Sequence, residues 1–146
     1  DSKPNDVRGQ KTVEAEQWQV VDVGEFTISL PSGWKHEGGK GMDSKCGDFE
    51  GGGISLSYDL GMYSNELRIE GATVEETKID GKEARIVVGG KEKMAGVYIP
   101  EAAKPLDEEG KPFGKYWYSL CVYGKSLTED QQKMAVQIFR TIKFKE

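Results

Sequence analysis

The run Ile54-Ser55-Leu56-Ser57-Tyr58-Asp59-Leu60 alternates apolar and polar residues without a break. Only an extended backbone sends every apolar side chain of such a run to one side and every polar one to the other. A strand of this kind needs hydrogen-bonded neighbours and a cover for its apolar face, so the chain is committed to a sheet with a lid. Phe26-Thr27-Ile28-Ser29-Leu30 repeats the pattern. Pro31-Ser32-Gly33-Trp34 ends it, because proline lacks an amide donor and glycine favours a turn. Thr73–Ile79 and Lys82–Val88 flank Asp80-Gly81, a dipeptide suited to a hairpin turn that needs positive φ. Gly89-Gly90-Lys91 turns the chain again, into a strand at Met94–Ile99. Trp18, Val20 and Val21 mark a further strand within Val13–Val23.

Lys115–Tyr123 is the longest strand expected. Tyr116, Tyr118, Leu120 and Val122 share one face, and Trp117, Ser119, Cys121 and Tyr123 share the other. Apolar groups on both faces make it a central strand covered on both sides. Leu127, Met134, Ala135, Ile138, Phe139 and Ile142 then recur at helical spacing and predict a helix over Thr128–Thr141. Ser126 and Glu129 have the spacing of a capping box at its start, and Glu129 and Asp130 complement its positive end. Ile142-Lys143-Phe144 is expected to leave as a short strand. Gly38–Gly53 reads as a glycine-rich loop, or as two short strands around Asp48-Phe49. Gly61–Gly71 is ambiguous between loop and a turn of helix, and Glu101–Gly114 is a charged loop with two prolines. Strands first and helix last give the α+β class, an antiparallel sheet with a C-terminal helix packed on it.

The 146 residues suit one domain, with residues 1–12 as a disordered polar leader and 13–146 as the folded unit. The net charge of −5, with no Lys/Arg run, disfavours nucleic acid and anionic lipid as partners. No apolar stretch approaches the length of a membrane-spanning helix. The opening Asp1-Ser2-Lys3-Pro4-Asn5-Asp6 is expected to be what remains after removal of an export leader. The expected location is therefore outside the cytoplasm, in the periplasm or on the outer surface. Membrane contact is expected only through an N-terminal lipid anchor.

Two cysteines, Cys46 and Cys121, fit one disulfide in an oxidising compartment, worth roughly 4–5 kcal/mol for a loop of that length in the chain-entropy model. Buried free thiols are the competing reading.

Phe26-Thr27-Ile28-Ser29-Leu30-Pro31-Ser32-Gly33-Trp34, then Ile79-Asp80-Gly81-Lys82-Glu83-Ala84, then Ala135–Phe144 follow one another in an order that resembles the PsbP-like superfamily. That superfamily holds the extrinsic photosystem proteins and many bacterial periplasmic lipoproteins. The resemblance spans roughly residues 26–144. It implies an α/β/α sandwich around an antiparallel sheet, and a binding or assembly role instead of catalysis. It transfers no active-site residue.

Candidate chemistry is sparse. The single histidine, His36, lies near Ser32, Ser44 and Cys46, and a Cys46–His36 pair would be the nucleophile-and-base arrangement open to this chain. Gly124-Lys125-Ser126 stands between strand and helix as a phosphate loop would, but the first glycine of that motif falls on Ser119. Asp43, Asp48, Glu50 and Asp59 do not match a calcium-loop spacing, and two cysteines with one histidine fall short of a structural zinc site. No metal or cofactor is expected. Trp34, Tyr58, Asp59 and Tyr63 are the candidate partner-binding residues, since aromatic side chains serve as anchors where they are exposed; Tyr98, Trp117 and Tyr118 are further strand aromatics, expected in the core and able to join that surface only where exposed. The reading is an exported, non-enzymatic binding or assembly module with a protein partner in the envelope. The alternative is a small enzyme or ligand carrier that uses the Gly38–Gly53 loop with His36 and Cys46.

Overall fold

A computed structural model describes residues 18–40 and 44–145. The expected leader over residues 1–12 lies outside the described residues. The chain runs through β1 (Trp18–Asp22), β2 (Phe26–Pro31), β3 (Lys35–Lys40), β4 (Ser44–Gly51), β5 (Ile54–Gly61), β6 (Ala72–Ile79), β7 (Lys82–Gly89), β8 (Met94–Ala103), β9 (Tyr118–Gly124), α1 (Glu129–Phe139) and β10 (Lys143–Phe144). Seven strands form one antiparallel sheet in the order β3-β4-β5-β9-β8-β7-β6. A second antiparallel sheet has the order β10-β2-β1.

The alternation in β5 acts as expected. Ile54, Leu56, Tyr58 and Leu60 are buried on an inner face, while Ser55, Ser57 and Asp59 point the other way. In register with them, Leu120 and Val122 of β9, Val97 and Ile99 of β8 and Ile86 of β7 continue the inner face across the sheet. Two elements close it. One is α1, through Ala135, Ile138 and Phe139, and the other is the small sheet, through Phe26, Ile28 and Leu30. Asp80 and Gly81 both take positive φ, 52° and 81°, in the two-residue hairpin turn that the sequence predicts.

β9 is central, with Ser119 and Cys121 buried on the outer face as well as Leu120 and Val122 on the inner one. The outer cover is an irregular segment after β5. Its Leu67 and Ile69 pack over Val87, Met94 and Cys121. The single α-helix among the described residues lies on the inner face.

Three expectations are corrected. Among its described residues Gly38–Gly53 is paired strand and not loop, and Asp48-Phe49, expected between two short strands in the alternative reading, lies inside β4, all eight residues of which pair with β5 from Ser44↔Gly61 to Gly51↔Ile54. Helix α1 is capped by Thr128, whose side chain accepts from Gln131 N while Gln131 Oε1 accepts from Thr128 N. Ser126 instead takes a left-handed φ of 58° and donates its backbone N–H to Glu92 O at 2.8 Å, so it belongs to the turn before the helix. The last strand of the large sheet begins at Tyr118 and not at Lys115, and a register shift interrupts its pairing with β8 between Tyr118 and Leu120.

Candidate functional site

The β3–β4 hairpin brings an aromatic group together at the inner edge of the sheet. His36 lies opposite Phe49, and Gly47 lies opposite both Gly38 and Tyr58. Phe49 and Tyr58 stack with centroids 4.9 Å apart, Phe26 meets Tyr58 edge-on at 6.0 Å, and the His36 ring lies 5.2 Å from Phe49. The two glycines make room for the phenol, since a Cβ on Gly47 would lie 2.7 Å from Tyr58 Oη and one on Gly38 would lie 2.8 Å from it. Burial holds His36 below the usual histidine range, helped by the Lys45 charge. Burial also pushes Tyr58 up to about 12, with smaller contributions from Cys46, Asp48 and Glu25. At neutral pH a protonated phenol and a neutral imidazole therefore share the hydrogen bond between Tyr58 Oη and His36 Nε2, 2.8 Å long. Beside them Lys45 bonds Glu25 at 2.7 Å and Val23 O at 2.8 Å, which ties the large sheet to the turn between β1 and β2.

The outer face carries a different row. Register places Cys46 of β4 beside Asp59 of β5, and Asp59 beside Cys121 of β9. The Cys46–Cys121 disulfide expected from the cysteine count is not formed, and both thiols are free. The reason is geometric. A whole strand separates them, so their Cα atoms are about 9–10 Å apart at ordinary strand spacing, against about 4.4–6.8 Å for a disulfide. Burial, and next the Asp59 charge, push the Cys121 thiol up to about 12, so it stays protonated and inert at neutral pH. Cys46 is exposed. Asp59 Oδ1 is buried without a hydrogen-bond partner among the described residues, although Asp48 next to it accepts from Ser57 Oγ at 2.9 Å. The pleat also separates the pair proposed for nucleophilic chemistry. His36 shares the inner face with Phe49, whereas Cys46, three residues before Phe49, projects from the outer face. Among the described residues no three His, Cys, Asp or Glu side chains converge as metal ligands.

The third region is one end of the large sheet, where β5 and β8 stop and β9 begins. Here Gly61 pairs with Ser119, and Ala103 pairs with Tyr118. Two excursions leave from this end. The first is a short turn bearing Met62 and Tyr63, with Tyr63 90% exposed. It is stapled underneath by a buried Ser64 Oγ–Ser119 Oγ hydrogen bond of 2.5 Å, and Ser119 Oγ also reaches Gly61 O at 3.3 Å. The second joins β8 to β9, and residues 107–117 of it are all exposed. It presents Phe113, Tyr116 and Trp117, with Lys82 Nζ 4.6 Å and Lys104 Nζ 5.2 Å from the Trp117 ring centre. Seven large hydrophobic side chains are exposed among the described residues, and five of them stand on these two excursions. The other two, Val20 in β1 and Val74 in β6, lie apart.

The four residues expected to bind a partner are thus dispersed. Tyr58 is 2% exposed and belongs to the core, and Asp59 faces the opposite side of the sheet. Trp34 is half-buried with its ring against Gly51, where any Cβ would collide with it. Tyr63 is open to a partner. Sequence reasoning missed its companions Phe113 and Tyr116 and named Trp117 only as a strand aromatic that serves a partner where exposed; it assigned both Tyr116 and Trp117 to a strand. Pro105, Gly110, Pro112 and Gly114 were the available signal that the strand had not yet begun. In comparisons with family models, curated proteins and solved structures the chain has no match.

Proposed function

We propose that this protein is an extracytoplasmic, non-enzymatic binding or assembly module that meets its protein partner with the aromatic end of its large sheet. The observation behind this reading is the gathering of Met62, Tyr63, Phe113, Tyr116 and Trp117 on two neighbouring excursions. Water-exposed aromatic side chains are unfavourable unless a partner covers them, and large exposed apolar patches mark interaction sites. The excursions are braced from beneath, so little ordering is required on docking. The PsbP-like resemblance favours the same role and the same side of the membrane. His36 and Cys46, on opposite faces of one hairpin, offer the alternative enzyme no nucleophile and base acting together.

The test places a photo-crosslinking residue at Tyr63, at Tyr116 or at Val74 and irradiates cells expressing the full chain. Protein adducts from 63 and 116, absent from 74, are the expected result, in a fraction outside the cytoplasm. Equal labelling from all three positions, or adducts only from 74, would remove the assignment.

A further inference from the structure

The excursion that joins β8 to β9 carries charges of both signs beside its aromatic side chains, and this restricts what can cover it. In chain order come Lys104, the acidic tip Asp107-Glu108-Glu109, then Lys111 and Lys115. Asp107 is occupied within the arm, where its Oδ1 accepts from Glu109 N and Lys111 N at 2.9 Å. Backbone bonds from Asp107 N to Lys111 O, and from Phe113 N to Pro105 O, complete the bracing. Glu108, Glu109, Lys104, Lys111 and Lys115 have no ion-pair partner among the described residues. Two of these lysines lie against the arm's own rings, Lys104 at 5.2 Å from Trp117 and Lys115 at 5.6 Å from Tyr116. Charge and apolar surface therefore coincide.

We infer that this arm docks onto the same arm of a second copy of the chain, related by a two-fold axis. The inference rests on the proposed function and names the partner of that surface. A two-fold contact needs one patch that complements itself, and a patch of one sign repels its own copy. Here, antiparallel arms set the acidic tip of each copy against the lysine flank of the other, with Tyr116 and Trp117 between them. An anionic bilayer or a nucleic acid would meet the acidic tip as well as the lysines. The size also fits. The arm's own Phe113, Tyr116 and Trp117 offer on the order of 300 Å² if a fully exposed aromatic gives about 200 Å², and Met62 and Tyr63 of the adjoining turn bring the patch to about 600 Å². That approaches the roughly 800 Å² which each partner gives to an interface of standard size.

Sedimentation velocity of the full chain, from about 1 μM to about 1 mM, tests the inference across the range of weak dimers. A concentration-dependent dimer is expected. The reversals E108K/E109K and K111E/K115E should each weaken it at least about tenfold, as loss of two or more charge pairs at an interface does. An equimolar mixture of the two reversed chains should regain the dimer that neither forms alone. Circular dichroism of each variant checks that the fold is kept. A monomer across the whole range, or a dimer insensitive to both reversals, overturns the inference. So does binding of the wild-type chain to phosphatidylcholine vesicles that is lost in W117S, because a lipid then covers the arm. If the chain stays monomeric while Tyr63 and Tyr116 still crosslink to another protein in cells, self-docking fails and the proposed function stands.

Discussion

Two aromatic groups in this molecule have similar composition and opposite fates. Phe26, Phe49 and Tyr58 pack together beside His36 on the inner face, while Phe113, Tyr116 and Trp117 are exposed on a connection beyond the sheet end. The inner rings fall on the alternating positions of paired strands, so the pleat turns them toward the lid formed by α1 and the small sheet. The outer rings fall on a segment with one isolated bridge, Leu106–Pro112, and lysine side chains, not an apolar lid, lie against them. Residue type gives a side chain its appetite for burial, and strand pairing decides whether its own chain satisfies it. Where pairing lapses, that appetite is left to a partner.

The contrast is open to direct challenge. Phe49→Ala should cost about 3–5 kcal/mol in urea unfolding, as truncation of a fully buried ring does. Trp117→Ala and Tyr116→Ala should stay within about 0.5 kcal/mol, as surface changes do. Equal losses at Phe49 and Trp117 would erase the division between the two groups. Gly47→Ala comes next, at about 1–3 kcal/mol, because its methyl group would crowd Glu37 O and the Tyr58 hydroxyl. Thermal denaturation of that variant reads the effect directly, and an unchanged midpoint would mean that the phenol has room to spare. Tyr58→Phe should cost about 1 kcal/mol, the usual net worth of one hydrogen bond, by removing the hydroxyl partner of His36 Nε2.

The smallest effect is a pH slope. His36 is held below its ordinary value of 6.5, so the unfolded chain binds its proton more readily than the folded one. Its contribution to stability is complete above about pH 6.5 and is lost as the pH falls from there through the folded value. Since the chain has one histidine, His36→Gln should flatten that part of the stability–pH curve. A slope that survives the substitution would assign it to other groups.

Much of the fold was legible because period-2 alternation and hairpin glycines are local signals. Ile54–Leu60, Phe26–Leu30 and the Asp80-Gly81 turn were recognisable from a few residues each. What depends on pairing between distant strands was not. Cys46 and Cys121 form an even pair in the sequence, but only register reveals that β5 runs between them. The cap of α1 was ambiguous for a related reason. Ser126 with Glu129 and Thr128 with Gln131 both have capping-box spacing, and the choice falls to Thr128 because Ser126 is bonded to Glu92. Of the candidate site, Tyr63 was found. Tyr116 was missed and Trp117 was read as a strand aromatic because the two continue the apolar pattern of β9 before the strand begins.

The two residues of β10 give this architecture a property in time. Lys143 and Phe144 complete the small sheet by pairing with Thr27 and Phe26, so β2 waits for a strand made long after it. Phe144 N also donates to Asp80 Oδ2 at 2.8 Å, fastening β10 to the turn of a hairpin made much earlier. Contacts of such long sequence separation form late and slowly. A ribosome that has delivered residues 18–140 has delivered a chain in which β2 still lacks one of its two neighbours, and the small sheet is completed only once β10 has emerged.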